Sequence, residues 1–289
     1  NTIDGGGHND TITSGIGDDI IYGHKGDDTI NSGRGKDDIS GGDGADTIKA
    51  GSGDDTIKGG AGNDTLYGEN DNDTIEGEEG DDIIYGGDGI DTLRGNAGKD
   101  KIYAGGGLSS TIYGDAGEDT ITGGVGKDLI YGGEDNDVIS GDAGDDVIKG
   151  DAGNDTIEGG LGVDTITGGS GDDLITGGKG ADIISGGDGS DTFSYGQDAY
   201  SSQQDTITDF SAGNGGDKVD LTNLHTWSLS SAGDLWSGSE FAYTHEYIKF
   251  EQDGNDVIVK YDRDGLNGSY EASNIAKLEN ISVSNFIPG

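Results

Sequence analysis

Residues Gly41–Lys49 read GGDGADTIK, and the stretches on either side repeat the same plan. Gly59–Tyr67 (GGAGNDTLY), Gly168–Thr176 (GGSGDDLIT) and Gly186–Ser194 (GGDGSDTFS) are further copies. Working outward from this unit, an aliphatic residue falls every nine positions from Ile12 and Ile21 to Ile102. One residue is inserted before Ile112; the period resumes at Ile121, runs to Ile184 and closes on Phe193. The count is twenty-one units, and an Asp stands two residues before each aliphatic position except Ile112.

One apolar residue in nine cannot bury a helical face. Asp-Thr-Ile reads instead as a three-residue strand with one side chain turned inward. The six residues before it read as a tight turn whose glycines supply positive φ. Two units then make one 18-residue coil of a parallel solenoid. Coils stack at about 4.8 Å, so about ten of them form a rod roughly 50 Å long.

Composition alone points elsewhere. The chain has 289 residues, 58 Asp and Glu against 16 Lys and Arg, a net charge of −42 and only 29% hydrophobic residues, which by itself reads as disorder. Such acidity excludes a partner rich in phosphate, whether nucleic acid or anionic lipid. No apolar run reaches the roughly 18 residues that a membrane-spanning segment needs. The absence of Cys removes disulfides, thiolate zinc sites and thiol nucleophiles. With 61 Gly but 1 Pro, collagen is excluded as well. There is neither a signal-peptide pattern nor an initiator Met, and Asn1-Thr2-Ile3 looks like the tail of an earlier unit, so the chain is expected to be part of a longer protein.

The units resemble the RTX (repeats-in-toxin) nonapeptide G-G-x-G-x-D-x-U-x, over residues 5–194. The resemblance implies an all-β fold: a right-handed parallel β-roll with 18 residues per turn and Ca2+ between turns on the same edge. It also implies that Asp carboxylates and turn carbonyls are the ligands.

The Asp positions support calcium independently. Asp10, Asp28, Asp46, Asp64, Asp82 and Asp100 would stack on one edge, and Asp19, Asp37, Asp55, Asp73 and Asp91 on the other. Past the insertion the positions are Asp119, Asp128, Asp137, Asp146, Asp155, Asp164, Asp173, Asp182 and Asp191. Carboxylates about 5 Å apart repel by roughly 0.8 kcal/mol per neighbour even in water. A hard dication that takes six to eight oxygens relieves this. Zinc does not suit turns without Cys or His at ligand spacing; Mg2+ is disfavoured because it keeps its waters. Residues 1–193 carry −32 of the net charge, and about 17 ions between intact turns would bring about +34. The chain is therefore expected to be disordered without Ca2+ and folded with it.

Departures from the repeat carry their own expectations. In Ala104–Tyr113 (AGGGLSSTIY), Ser109 and Ser110 occupy the Asp region, so a missing or weak ion and a bulge are expected there. Asp71 and Asp135 replace a turn glycine, which Asp tolerates better than most residues. His8 and His24 also fall at turn-glycine positions. Outward positions 18 apart form columns: Lys58, Glu76 and Arg94 as a charge ladder; Tyr67, Tyr85 and Tyr103, and Tyr113 and Tyr131, as aromatic columns. These tyrosines either stabilise neighbouring strands or offer a platform to a glycan. Thr11, Thr29, Thr47 and Thr65 also align, but Ile83 and Lys101 interrupt them, which argues against an ice-binding face.

After Phe193 the composition shifts, with every Phe and both Trp lying in 193–289. Residues 1–194 are read as the roll, and 195–289 as a C-terminal β-rich cap with a type I secretion region. Asp205–Leu224 resembles the segment after the repeats in serralysin-type proteases and RTX adhesins, and Asn274–Phe286 resembles the family's closing segment. Tyr247–Tyr261 reads as a β-hairpin with a Gly-Asn turn. Asp262, Asp264 and Glu271 lack EF-hand spacing.

No catalytic constellation is present. His245-Glu246 is followed by Lys249 where H-E-x-x-H requires a second His, and there is no G-x-S-x-G or Walker A lysine. Paired acids such as Asp18-Asp19 read as a ligand beside a solvated neighbour. The expected function is a non-catalytic, calcium-folded C-terminal module of a large secreted Gram-negative protein of adhesin or toxin type. Its partner is the type I secretion machinery, its form monomeric and its location extracellular or on the cell surface. A secreted protease, lipase or mannuronan epimerase carrying the same appendage, or a glycan-binding module, are the alternatives.

Overall fold

The computed structural model describes residues 1–195, 204–212, 216–220, 240–243, 246–262 and 273–279. The nine-residue period builds a strand in every unit. Along Thr47–Ser52 the side chain of Thr47 faces out, Ile48 is buried, Lys49 is exposed and Ala50 is buried again. Successive strands go alternately to two sheets, so each strand pairs in parallel with the one 18 residues away, as in Ile48↔Leu66 and Ile39↔Ile57. From Thr2 to Ser194 this gives eleven coils, and among the described residues there is no helix.

The strands are longer than the sequence suggests. They begin at the residue after the Asp and run six residues in most units, leaving three for the connection. The expectation of three-residue strands and six-residue turns is corrected by the glycines. The first glycine of a unit, such as Gly59, continues the inward alternation after Ile57. The second, Gly60 at φ 119°, turns the corner without interrupting pairing to the next coil. Non-glycine residues manage the same corner at His24 (φ 77°) and Glu69 (φ 77°), and Asp71 (φ 76°) and Asp135 (φ 75°) take positive φ two residues further on, where Gly62 stands, so those turns survive as expected.

The core is one continuous row per sheet. Ile21 through Ile184 are at most 1% exposed, and Phe193, Ile207, Phe210, Val257 and Leu278 extend the same cluster. Both sheets continue past the last nonapeptide: Ile183–Asp188 pairs with Asp205–Ile207, and Thr192–Ser194 pairs with Lys218–Asp220. Asp205–Ile207 pairs in parallel with Ser273–Leu278, which pairs antiparallel with Asp256–Asp262. Glu246–Asp253 and Asp256–Asp262 form the expected hairpin, with Gly254 at φ 65° in its turn. Asp264, Glu271 and everything after Glu279 lie outside the described residues.

The inserted residue is absorbed between Gly105 and Thr111. The strand Lys101–Gly105 is one residue short, and pairing resumes at an interval of 19 as Leu93↔Ile112 and Ile102↔Ile121.

Candidate metal centres

Each connection ends in the Asp that precedes a strand, and 18-residue stacking places these side chains one above another. The twenty predicted aspartates fall into two rows. One runs from Asp10 through Asp28, Asp46 and Asp64 to Asp191; the other runs from Asp19 through Asp37, Asp55 and Asp73 to Asp182. All but Asp10, at the open N-terminal coil, are buried, with 2% exposure or less.

The bonding within a row is uniform. The backbone N–H of one Asp donates to Oδ1 of the Asp in the next coil, at 2.7 Å for Asp46 to Asp64 and 2.9 Å for Asp55 to Asp73. The second oxygen is left over: Oδ2 is buried without a hydrogen-bond partner in nineteen of the twenty. The exception is Asp19, whose Oδ2 accepts the hydroxyl of Ser14, a residue standing where most units have glycine. In most units glycine leaves the space that this oxygen needs; a Cβ on Gly41 would overlap Asp46 Oδ2 and press on the Gly59 carbonyl oxygen.

A buried carboxylate with a free oxygen resists ionisation. Burial raises Asp46 to about 6, Asp64 and Asp82 to about 7, and Asp73 and Asp119 to about 8, opposed in each by the N–H bond from the preceding coil. Carboxylates of neighbouring coils push in the same direction as burial.

Among the described residues no three His, Cys, Asp or Glu side chains converge on one point. An ion between coils would therefore need oxygens beyond these side chains. The donors at hand are the unpartnered carboxylate oxygens and the carbonyls of the tightly stacked glycine turns, all of them hard oxygens, and that set fits Ca2+. An ion held there would supply the positive charge that the buried rows lack.

Ser110 takes the place of an Asp in the second row. It is 3% exposed, its Oγ accepts the Asp91 N–H at 3.3 Å, and its own N–H donates to Asp128 Oδ1 at 2.6 Å. The hydrogen-bonded row thus runs unbroken through the insertion, with a neutral oxygen where every other step has a carboxylate.

Where the residue just before a row Asp is itself Asp or Asn, it has a task that the sequence reading missed. Asp18 was expected to be merely solvated; it is exposed, but its Oδ1 accepts the Lys36 N–H at 2.9 Å. Asp27, Asp54, Asn63, Asn72, Asp81 and Asn154 accept a backbone N–H of the next coil in the same way. Row Asp residues reach toward the preceding coil and these Asp and Asn neighbours toward the following one, so a connection that carries both is tied in both directions. The frequent Asp or Asn before the row Asp was the available signal.

The outer faces are occupied by their own contacts. Lys58 bridges Glu76 at 2.9 Å and Glu78 at 3.2 Å, and Arg94 pairs with Asp115 at 2.9 Å. Tyr67, Tyr85 and Tyr103 stack with centroids 4.9 and 5.1 Å apart and planes within 13°; Tyr113 and Tyr131 stack at 5.1 Å. Cations cover the outer ring faces of Tyr67 (Lys49), Tyr113 (Arg94) and Tyr131 (Lys149). Most of the ring faces that a sugar would stack on are already covered, so the geometry favours the strand-stabilising role of these tyrosines.

Comparison with known proteins agrees with the site. No curated protein sequence matches the chain. A similar solved structure is the solution structure of the AlgE6R3 subunit from the Azotobacter vinelandii mannuronan C5-epimerase, 24% identical over 55% of this chain and 78% of that one, with a TM-score of 0.29. The family described as the RTX calcium-binding nonapeptide repeat matches at residues 4–39, 40–75, 76–108, 109–139, 131–166 and 158–193. With the repeats filling the whole of the two-sheet roll and its carboxylate rows, the chain belongs to the RTX calcium-binding nonapeptide repeat family.

Proposed function

We propose that this calcium-binding roll is a non-catalytic, calcium-folded module of a secreted Gram-negative protein of adhesin or toxin type, exported by type I secretion machinery. The observation that carries the reading is the pair of rows of buried carboxylates with unpartnered oxygens. Within a cell, where free Ca2+ is scarce, the net charge of −42 and these desolvated acids oppose folding. An unfolded chain is what a narrow export channel requires. Outside, millimolar Ca2+ matches the roughly 0.1–1 mM affinities of extracellular calcium modules. Binding then drives folding and opposes return through the channel.

Residues 195–289 serve in this reading as the cap and the export signal, and the roll acts as a monomer. The cations and neighbouring rings that cover most of the tyrosine faces favour a scaffold over a glycan reader. The test is export from Gram-negative cells supplied with a type I exporter. The chain should accumulate in the medium, and removal of residues 195–289 should abolish this. Retention of the intact chain inside cells with a working exporter would contradict the reading.

A further inference from the structure

We propose that Asp182, Asp205 and the hydroxyl of Tyr195 bind a hard divalent cation of the calcium class, beyond the last nonapeptide of the second row. The proposal rests on the reading that row carboxylates hold Ca2+, and extends it to residues that neither the period nor the family match includes.

Asp205 lies 23 residues after Asp182 instead of 18, so spacing gives no hint of it. The structure nevertheless sets it in the row. Asp182 N–H donates to Asp205 Oδ1 at 3.1 Å, the same bond that joins earlier steps, and Ile183 and Ile184 pair with Thr206 and Ile207. Asp182 is 0% and Asp205 4% exposed, which places two carboxylates side by side away from water. Asp182 Oδ2 has no partner.

Tyr195 distinguishes this step from every other. It stands two residues after Phe193, as Gly177 stands two after Ile175, so a ring fills the place where other coils keep a small residue. It is 5% exposed, and its buried hydroxyl lies against the Asp205 carboxylate. Burial, followed by the Asp205 charge, pushes this hydroxyl well above its usual value. Two carboxylates and a hydroxyl, all desolvated, form an oxygen cluster suited to a hard dication.

The other row ends differently, which makes the contrast informative. Asp217 follows Asp191 and accepts its N–H at 3.1 Å through Oδ1, while Oδ2 accepts Ser211 N–H at 2.7 Å. Asp209 beside it accepts Gly186 N–H, Gly187 N–H and the Ser185 hydroxyl at 3.0, 2.9 and 2.6 Å. Asp191 Oδ2, like Asp182 Oδ2, has no partner, but both oxygens of Asp217 accept protein N–H groups, whereas Asp205 accepts a backbone N–H through Oδ1.

Anomalous scattering from calcium in crystals of the full chain tests this, with Asp205→Asn and Tyr195→Phe as variants. Wild type should show a peak between Asp182 and Asp205. Asp205→Asn, which can still accept the Asp182 N–H, should lose that peak while keeping those between repeat pairs such as Asp46 and Asp64. Tyr195→Phe should raise the calcium concentration for half occupancy of this site about tenfold. Filled repeat rows with nothing at Asp182–Asp205, or a peak that survives Asp205→Asn, would overturn the proposal, and unchanged occupancy in Tyr195→Phe would remove the hydroxyl from it. Rows empty throughout would sink the proposal together with the reading beneath it; a peak at Asp182–Asp205 alone would support the proposal and sink that reading. If Asp205→Asn does not crystallise, chelator competition in solution should count one ion fewer than wild type, and an equal count overturns the proposal.

Discussion

The backbone N–H of Asp64 donates to Oδ1 of Asp82 at 2.7 Å, while Oδ2 of Asp82 is buried without a partner. One carboxylate thus does two things: it ties its coil to the one before and leaves an oxygen that needs a cation. Losing it should cost more than losing an ordinary surface charge.

Asp82→Ala removes both functions in the middle of the roll. An unsatisfied buried N–H costs about 1–3 kcal/mol, to which the lost ion contact adds. We expect the calcium concentration at the folding midpoint to rise several-fold, measured by circular dichroism. Asp82→Asn, which can retain the N–H bond, should fall between the alanine variant and wild type.

Asp54→Ala removes an exposed acceptor for the Asn72 N–H. Water can replace it, so the loss should be about 0.5–1 kcal/mol, smaller than at Asp82. Denaturant unfolding in saturating Ca2+ measures the difference, and an effect as large as that of Asp82→Ala would contradict the division of labour between the two positions.

Gly44→Ala meets two obstacles: φ is +144°, and the new Cβ would overlap the Gly26 carbonyl oxygen of the coil before. Both sit in backbone that cannot yield without unstacking the turns. We expect a loss of more than about 1 kcal/mol in the same unfolding measurement.

Without calcium, pH should act in an unusual direction. Asp64 and Asp82 are raised to about 7, and Asp73 and Asp119 to about 8, in the folded chain by burial, against about 3.9 when unfolded. The folded state therefore binds more protons than the unfolded one across that interval. The contribution is fully present below the unfolded value and is lost as pH rises toward 8. In EDTA, strand content should be greater at pH 5 than at pH 8; both lie above the isoelectric point of about 4.1. Equal content, or a gain on raising the pH, would contradict the burial of these acids.

Much of this was legible from Asp-x-aliphatic recurring every nine residues. That spacing fixes which side chains stack, and it located the core from Ile12 to Phe193 and all twenty aspartates. Strand length was not legible, because glycine's small side chain hides that residues such as Gly59 continue the inward alternation. The second task of Asp18 and its counterparts depends on which N–H of the next coil lies within reach, which spacing alone does not give. Asp205 and Asp217 escaped notice because intervals of 23 and 26 conceal a row that the backbone pairing keeps straight. Ser14 was hidden in another way: only the folded turn shows its hydroxyl completing Asp19.

The most direct measurement is far-ultraviolet circular dichroism of the whole chain, in EDTA and after addition of millimolar Ca2+, with limited proteolysis alongside. Little strand signal and rapid cleavage in EDTA, replaced by full strand signal and a resistant roll in Ca2+, is the expected result. An equally folded and resistant chain after exhaustive chelation at neutral pH would show that the buried carboxylate rows do not need the ion.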